Sequence, residues 1–167
     1  MNLISRFPML KWLLLSLIVI ILDLWSKRLI SASMELYQSI PLIDGFFNYT
    51  LLHNHGAAFS FLADQPGWQR WFFTIISSVM SIVLLVWLMR LKSDDKLLAI
   101  ALALVLGGAL GNLWDRVTLG YVVDFLDVFI VIDNTEKHWP AFNIADSAIS
   151  IGALFLIIDT FLKPDEP

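Results

Sequence analysis

The chain has 167 residues, 58% of them hydrophobic and 16% charged, with a formal net charge of −4 and a mean hydropathy of +0.75. That apolar content lies well above the roughly 45–50% of an ordinary soluble domain, so lipid is the solvent for most of the chain. The sequence holds no cysteine, which excludes a thiol nucleophile, a disulfide framework, a cysteine zinc site and lipidation of the chain's own thiols; any cysteine chemistry belongs to a partner.

A helix that crosses a hydrocarbon core of about 30 Å needs roughly 17–25 mostly apolar residues. The first such window, 12–30, is uncharged as far as Leu22 and then carries Asp23, Lys27 and Arg28. Arg6 and Lys11 before it and Ser31-Ala32-Ser33 after it outline a signal peptide, but those three charges sit where a cleavable signal prefers neutral residues, so an uncleaved anchor helix is the simpler reading. Asp23 and Lys27, four apart, share one helical face and read as a mutually compensating pair with a structural role.

Between the first and second windows, Ile40–Ile43 and Phe46–Leu51 flank Asp44-Gly45, the pattern of a β-hairpin. Its apolar surface is too large for a free hairpin in water, so it is expected to lie on the membrane or over the helices as a cradle, with an irregular loop as the alternative. His53 and His55 flank Asn54 here; two histidines at that spacing are more often solvated than metal-bound, and no metal site is expected.

The second and third windows, 71–89 and 97–114, carry no charge. The third ends in a polar turn: Asn112 and Arg116 stand one turn apart, and Gly107 and Gly111 form a small-xxx-small pair suited to close helix approach. Arg116, beside Asp115, is either a snorkelling anchor or the partner of a carboxylate. Gly120 then breaks the helix, Asp124 follows Tyr121-Val122-Val123, and 125–132 is apolar but too short to cross, an interfacial segment with a short helix as one option.

The fourth window, 139–158, holds Asp146 in its first third, with Asn143 and Ser150 on the same helical face. An ionised carboxylate at that depth has to face protein or water.

Positive charge gathers at Arg6 and Lys11, at Arg90, Lys92 and Lys96, and at Lys163, against Arg70 and Lys137 in the opposite loops and Lys27, Arg28 and Arg116 at span ends, a modest bias. The bias places both termini in the cytoplasm, and with them Asp124 and Asp146 near the extracytoplasmic face. The expected class is an all-α membrane protein, 1–167 as one domain, with four transmembrane helices, an extracytoplasmic hairpin between the first two and a short interfacial segment between the last two.

Two carboxyls at one depth in a low-dielectric site cannot both ionise cheaply, so one keeps a proton near neutral pH and the pair titrates as a unit. Such a pair offers a base for a bound water and an acid for a scissile carbonyl, which is aspartyl protease chemistry. His53, His55 and His138 have no metal-protease spacing, and neither a Gly-x-Ser-x-Gly elbow nor a phosphate loop occurs. Asp127 is the rival to Asp124 within its segment.

Five motifs in order, Asp23-Leu24-Trp25-Ser26-Lys27, Asn54-His55-Gly56-Ala57-Ala58-Phe59-Ser60, the run from Gly107 to Arg116, Val123-Asp124-Phe125 and Phe142-Asn143-Ile144-Ala145-Asp146-Ser147, resemble the bacterial lipoprotein signal peptidases, the signal peptidase II family. The resemblance covers nearly the whole chain. It implies that Asp124 and Asp146 are the catalytic pair, that Asn54, Gly56, Asn112, Arg116 and Asn143 are the supporting and substrate-contacting set, and that Asp23 and Lys27, with Asp115 beside them, are structural. It also implies a diacylglyceryl prolipoprotein as substrate, cleaved before the modified cysteine, in the bacterial cytoplasmic membrane. Membrane lipid is the other expected partner; a monomer is expected, with no cofactor and no nucleic acid. Two other classes stay open on the residues alone: a small proton-coupled transporter using the intramembrane aspartates, and a scaffold whose polar residues only join helices.

Overall fold

The structure, a computed structural model, describes residues 9–56 and 67–162. After a 3-10 turn at Leu10–Trp12, the elements are α1 (Leu13–Ser33), β1 (Ser39–Ile43), β2 (Phe47–Asn54), α2 (Trp68–Arg90), α3 (Lys96–Thr118), β3 (Val122–Ile132), β4 (Thr135–His138) and α4 (Ile144–Leu162). Three of the four long helices, α2, α3 and α4, are long and apolar enough to cross a membrane. The fourth, α1, has the length but carries Asp23, Lys27 and Arg28 in its second half.

α3 is the centre of the bundle, and α1, α2 and α4 all pack against it. Its sequence explains why. Ala99, Ala101, Leu102 and Ala103 are fully buried, and the glycines let neighbours come down to the backbone. A Cβ at Gly107 would lie 2.8 Å from the Ser16 carbonyl, one at Gly111 2.6 Å from Asp23 Oδ2, and one at Gly108 would run into the Ala145 carbonyl. Ser16 Oγ donates to the Ala103 carbonyl at 2.7 Å, fixing α1 on α3 one turn before Gly107. Gly108→Ala must therefore push the first turn of α4 outward; overpacking of this kind costs about 1–3 kcal/mol, and thermal unfolding in detergent is expected to show that loss.

At the end of the bundle where α1 and α3 finish, the four strands form one antiparallel sheet in the order β1-β2-β3-β4. Ile30 of α1 and Met34, just past its end, pack under it against Leu51, Val123 and Phe125. β1 and β2 form the hairpin expected from Asp44-Gly45, and Gly45 turns at φ +74°. The β2–β3 register sets Leu52 opposite Asp124 and Asn48 opposite Asp127, with a bulge between Tyr49 and Leu52.

Three expectations need correction. The chain is not all-α with a lone hairpin. Its segment 125–132 belongs to an 11-residue strand, not a short helix, because a run rich in Val, Ile and Phe finds an open strand edge on β2 and a second partner in β4. Asp133 and Asn134 turn β3 into β4 with φ of 50° and 56°, the geometry of a two-residue hairpin. The fourth helix begins at Ile144 rather than Trp139: Phe142 is held to the sheet by Phe142 N–H donating to the Leu126 carbonyl at 3.0 Å and Leu126 N–H returning to Phe142 at 2.8 Å. The other windows run slightly longer than expected, to Ser33 in α1, from Trp68 in α2 and to Thr118 in α3.

Candidate active site

The first turn of α4 organises the site. Helix N-termini leave backbone N–H groups without partners, and here each of two is met by a named side chain. Asn143 precedes the helix as its cap: its Oδ1 accepts from Asp146 N–H at 2.9 Å, while Asp146 Oδ2 accepts from Asn143 N–H at 3.2 Å. This reciprocal pair is a capping box with Asn and Asp in place of the usual Ser and Glu. Ala145 N–H donates across the bundle to Asp23 Oδ1 at 2.9 Å. Asp146 thus stands in the helix's first turn, its carboxyl fixed by local geometry, and Asn143 is a cap rather than a mid-helix face residue.

Asp124 arrives from β3, 3% exposed. Asn143 Nδ2 donates to its Oδ1 at 2.7 Å and Asn54 Nδ2, at the end of β2, to its Oδ2 at 2.9 Å. Asn54 Oδ1 in turn accepts from Gly56 N–H at 2.9 Å, and the Gly56 carbonyl accepts from Arg116 at 3.3 Å. Burial, and then the nearby Asp146 charge, push the Asp124 carboxyl up from the ordinary carboxylate range to about 7, against the lowering effect of its Asn54 and Asn143 bonds.

Asn112 of α3 joins the two halves. Its Nδ2 donates to Asp146 Oδ1 at 2.8 Å, and its Oδ1 accepts from Lys27 Nζ at 2.9 Å and Asn143 Nδ2 at 3.2 Å. Both of those groups are donors only, so they fix which end of the Asn112 amide faces Asp146. Lys27 also pairs with Asp23 at 2.8 Å and Asp115 at 3.0 Å, all three side chains almost fully buried. Asp115 Oδ2 accepts from Val123 N–H at 3.2 Å, one residue before Asp124. The Asp23–Lys27–Asp115 cluster therefore ties α1, α3, α4 and β3 together directly beneath the two acids.

Asp124 and Asp146 line one cavity of about 550 Å³ together with Asn54, Asn112 and Arg116. Arg116 makes no ion pair with either acid among the described residues; its guanidinium lies 5.5 Å from the Phe73 ring centre. Asp127 does not line that cavity. Three positions along a strand reverse the face, and Asp127 accepts from Asn48 and Thr50, each at 3.3 Å, and meets His138 Nδ1 at 2.8 Å. His53 stacks on Tyr121 at 3.8 Å between ring centres. Ala57–Ser60 of the second motif, and Arg6 and Lys163 of the charge pattern, lie outside the described residues.

Sequence reasoning passed over Arg70 as a loop charge. Its Nε donates to the Arg116 carbonyl at 2.9 Å and its Nη2 to the Val117 carbonyl at 2.7 Å, a fork that closes the end of α3 next to Arg116. The signal was an arginine at the start of a helix whose other charge, Arg90, stands at its far end.

A helical bundle crossed by apolar helices, with amide-held carboxyls in a cavity at its sheet end, is a membrane protein built around a polar site. A solved structure described as a bacterial membrane enzyme is similar to it with TM-score 0.78 and 34% identity, covering 94% of this chain and 93% of that one. The family model described as Signal peptidase (SPase) II matches residues 15–162. The lipoprotein signal peptidase of Pseudomonas fluorescens is 55% identical over 157 residues, 94% of this chain and 91% of that protein. That of Ectopseudomonas mendocina (strain ymp) is 54% identical over 159 residues, with 94% and 91% covered. The chain belongs to the signal peptidase II family and is a peptidase embedded in the membrane. The transporter reading is set aside, because the family and these relatives are peptidases.

Proposed function

We propose that the chain is an aspartic endopeptidase that removes signal peptides from prolipoproteins, cutting before the diacylglyceryl-modified cysteine, with Asp124 and Asp146 as its catalytic pair. The observation that carries this reading is the convergence of the two carboxyls, from β3 and α4, on one cavity, each held by its own side-chain amide.

The pair shares one proton near neutral pH. The ionised carboxylate takes a proton from a water as its oxygen attacks the scissile carbonyl carbon, and the protonated partner gives its proton to the carbonyl oxygen, forming a gem-diol. The proton taken from water then passes to the departing amine nitrogen as the C–N bond breaks, and a diol hydroxyl returns its proton to the other acid. Asn54, Asn112 and Asn143 hold the carboxyls at fixed angles throughout, and Arg116 and Gly56 form the rim that the substrate meets.

We read α1 as a fourth span. Asp23 and Lys27 turn inward onto each other, leaving Leu14, Ile21 and Trp25 exposed on the outer face. With both termini cytoplasmic, the sheet is a cradle on the extracytoplasmic face and the cavity lies at that boundary. The chain acts as one domain and as a monomer, in the bacterial inner membrane with lipid around it. Purified protein in detergent is expected to shift a diacylglyceryl prolipoprotein on a gel; failure to cleave it under any condition would contradict the reading.

The raised Asp124 carboxyl predicts a pH dependence. Cleavage, measured as kcat/KM, is expected to fall as pH rises through about 7, where the pair loses its shared proton. Stability follows the same group. Folded protein holds this proton more tightly than the unfolded chain, so this group's contribution to stability is full below about pH 4 and is lost as pH rises through about 7, by about 4 kcal/mol at most. Unfolding of Asp124→Asn is expected to lose that slope whatever its offset.

A further inference from the structure

A second cavity of about 720 Å³ lies on the opposite side of Lys27, between the last turns of α1 and α3 and below β2 and β3. Its lower wall is apolar, with Leu24 of α1 and Trp114 of α3; its upper rim is polar, with Arg28, Ser31 and Thr118. Trp114 is 52% exposed, so the cavity opens sideways between the helices.

The charges decide what it accepts. Lys27 and Asp115 reach its wall but are paired with each other at 3.0 Å. Asp23, the other carboxylate on Lys27, does not line it. Arg28 is exposed and, among the described residues, has neither an ion pair nor a hydrogen bond. A snorkelling arginine needs no cavity beneath it; this one stands at the mouth of a space within the roughly 300–1,000 Å³ of ordinary ligand pockets.

We propose that this cleft binds an anionic glycerophospholipid, its phosphate on Arg28 with Ser31 and Thr118, and part of an acyl chain along Leu24 and Trp114. Basic pockets between transmembrane helices take lipid headgroups for this reason. The diacylglyceryl group of a prolipoprotein is uncharged and leaves Arg28 unanswered, so the occupant is a bulk lipid rather than the substrate. A zwitterionic headgroup brings its own ammonium toward Arg28 and binds less well. The placement rests on the reading of this end of the bundle as a membrane boundary.

Native mass spectrometry of the delipidated full-length protein, with phosphatidylglycerol and phosphatidylethanolamine added separately, tests it. The wild type is expected to retain one phosphatidylglycerol at concentrations about fivefold lower than phosphatidylethanolamine. Arg28→Gln, which breaks no contact in the fold, is expected to keep its melting temperature and lose the preference. Ala32→Trp, which keeps Arg28 but fills the cavity, is expected to lose it too. Equal retention of both lipids by the wild type, or an unchanged preference in either variant, would overturn the proposal. Prolipoprotein cleavage by the same preparations reports separately on the peptidase reading.

Discussion

Asp124→Asn and Asp146→Asn are each expected to slow cleavage of a diacylglyceryl prolipoprotein by about 10²–10⁴-fold, the range that a positioned acid or base contributes. The two substitutions remove the same chemistry by different routes. At Asp124, the amide keeps one acceptor for Asn143 or Asn54 and turns an NH₂ toward the other. At Asp146, the amide keeps an acceptor for Asn112 but weakens the capping box with Asn143. Asp146→Asn is therefore expected to lose about 1 kcal/mol of stability for a damaged cap, and Asp124→Asn about 1–3 kcal/mol, because its new NH₂ faces a second donor in a buried site. Melting curves beside single-turnover rates separate the two effects, and a variant that melts normally and cleaves within about tenfold of wild type would remove that residue from the pair.

Lys27→Met is expected to cost about 3–5 kcal/mol of stability, the loss that follows when one partner of a buried ion pair is removed. Lys27 is the only cation in an ion pair with Asp23 or Asp115 among the described residues, and both carboxylates are nearly inaccessible to water. Removing it leaves two buried negative charges and takes one of the two donors from Asn112 Oδ1, so that Asn143 Nδ2 alone fixes that amide toward Asp146. A surface pair would cost under about 1 kcal/mol, so thermal unfolding in detergent distinguishes the cases clearly. Adding Asp115→Asn to Lys27→Met is expected to restore part of the loss, since one of the stranded charges is gone; no restoration would mean that lost packing, not charge, dominates.

The helices were legible because each apolar window is long and the charges mark its ends. The Asp44-Gly45 hairpin was legible from turn chemistry. The second half of the sheet was not, although Asp133-Asn134 between Val131-Ile132 and Thr135 carries a comparable two-residue turn signal. An apolar run of that length suits an interfacial segment equally well, and only the free edge of β2, a long-range partner, decides for a strand. The candidate site shows the same division. Asp124 and Asp146 stand out as isolated carboxyls in apolar surroundings. The capping box at Asn143 was hidden by treating 139–158 as continuous helix; Pro140, acceptable in a helix's first turn, gave no warning. The roles of Asp23 on Ala145 and of Lys27 on Asn112 depend on contacts across 122 and 85 residues, and no local pattern announces them.

The central claim is that the two acids act as one device, and a comparison of the single variants with Asp124→Asn/Asp146→Asn tests it most directly. Single-turnover cleavage of one diacylglyceryl prolipoprotein is measured for wild type, both singles and the double, all confirmed as folded. If the acids form a pair, the double variant is no slower than the slower single, because removing either partner already abolishes the shared-proton chemistry. If the losses multiply, the two carboxyls contribute independently and the pair does not exist.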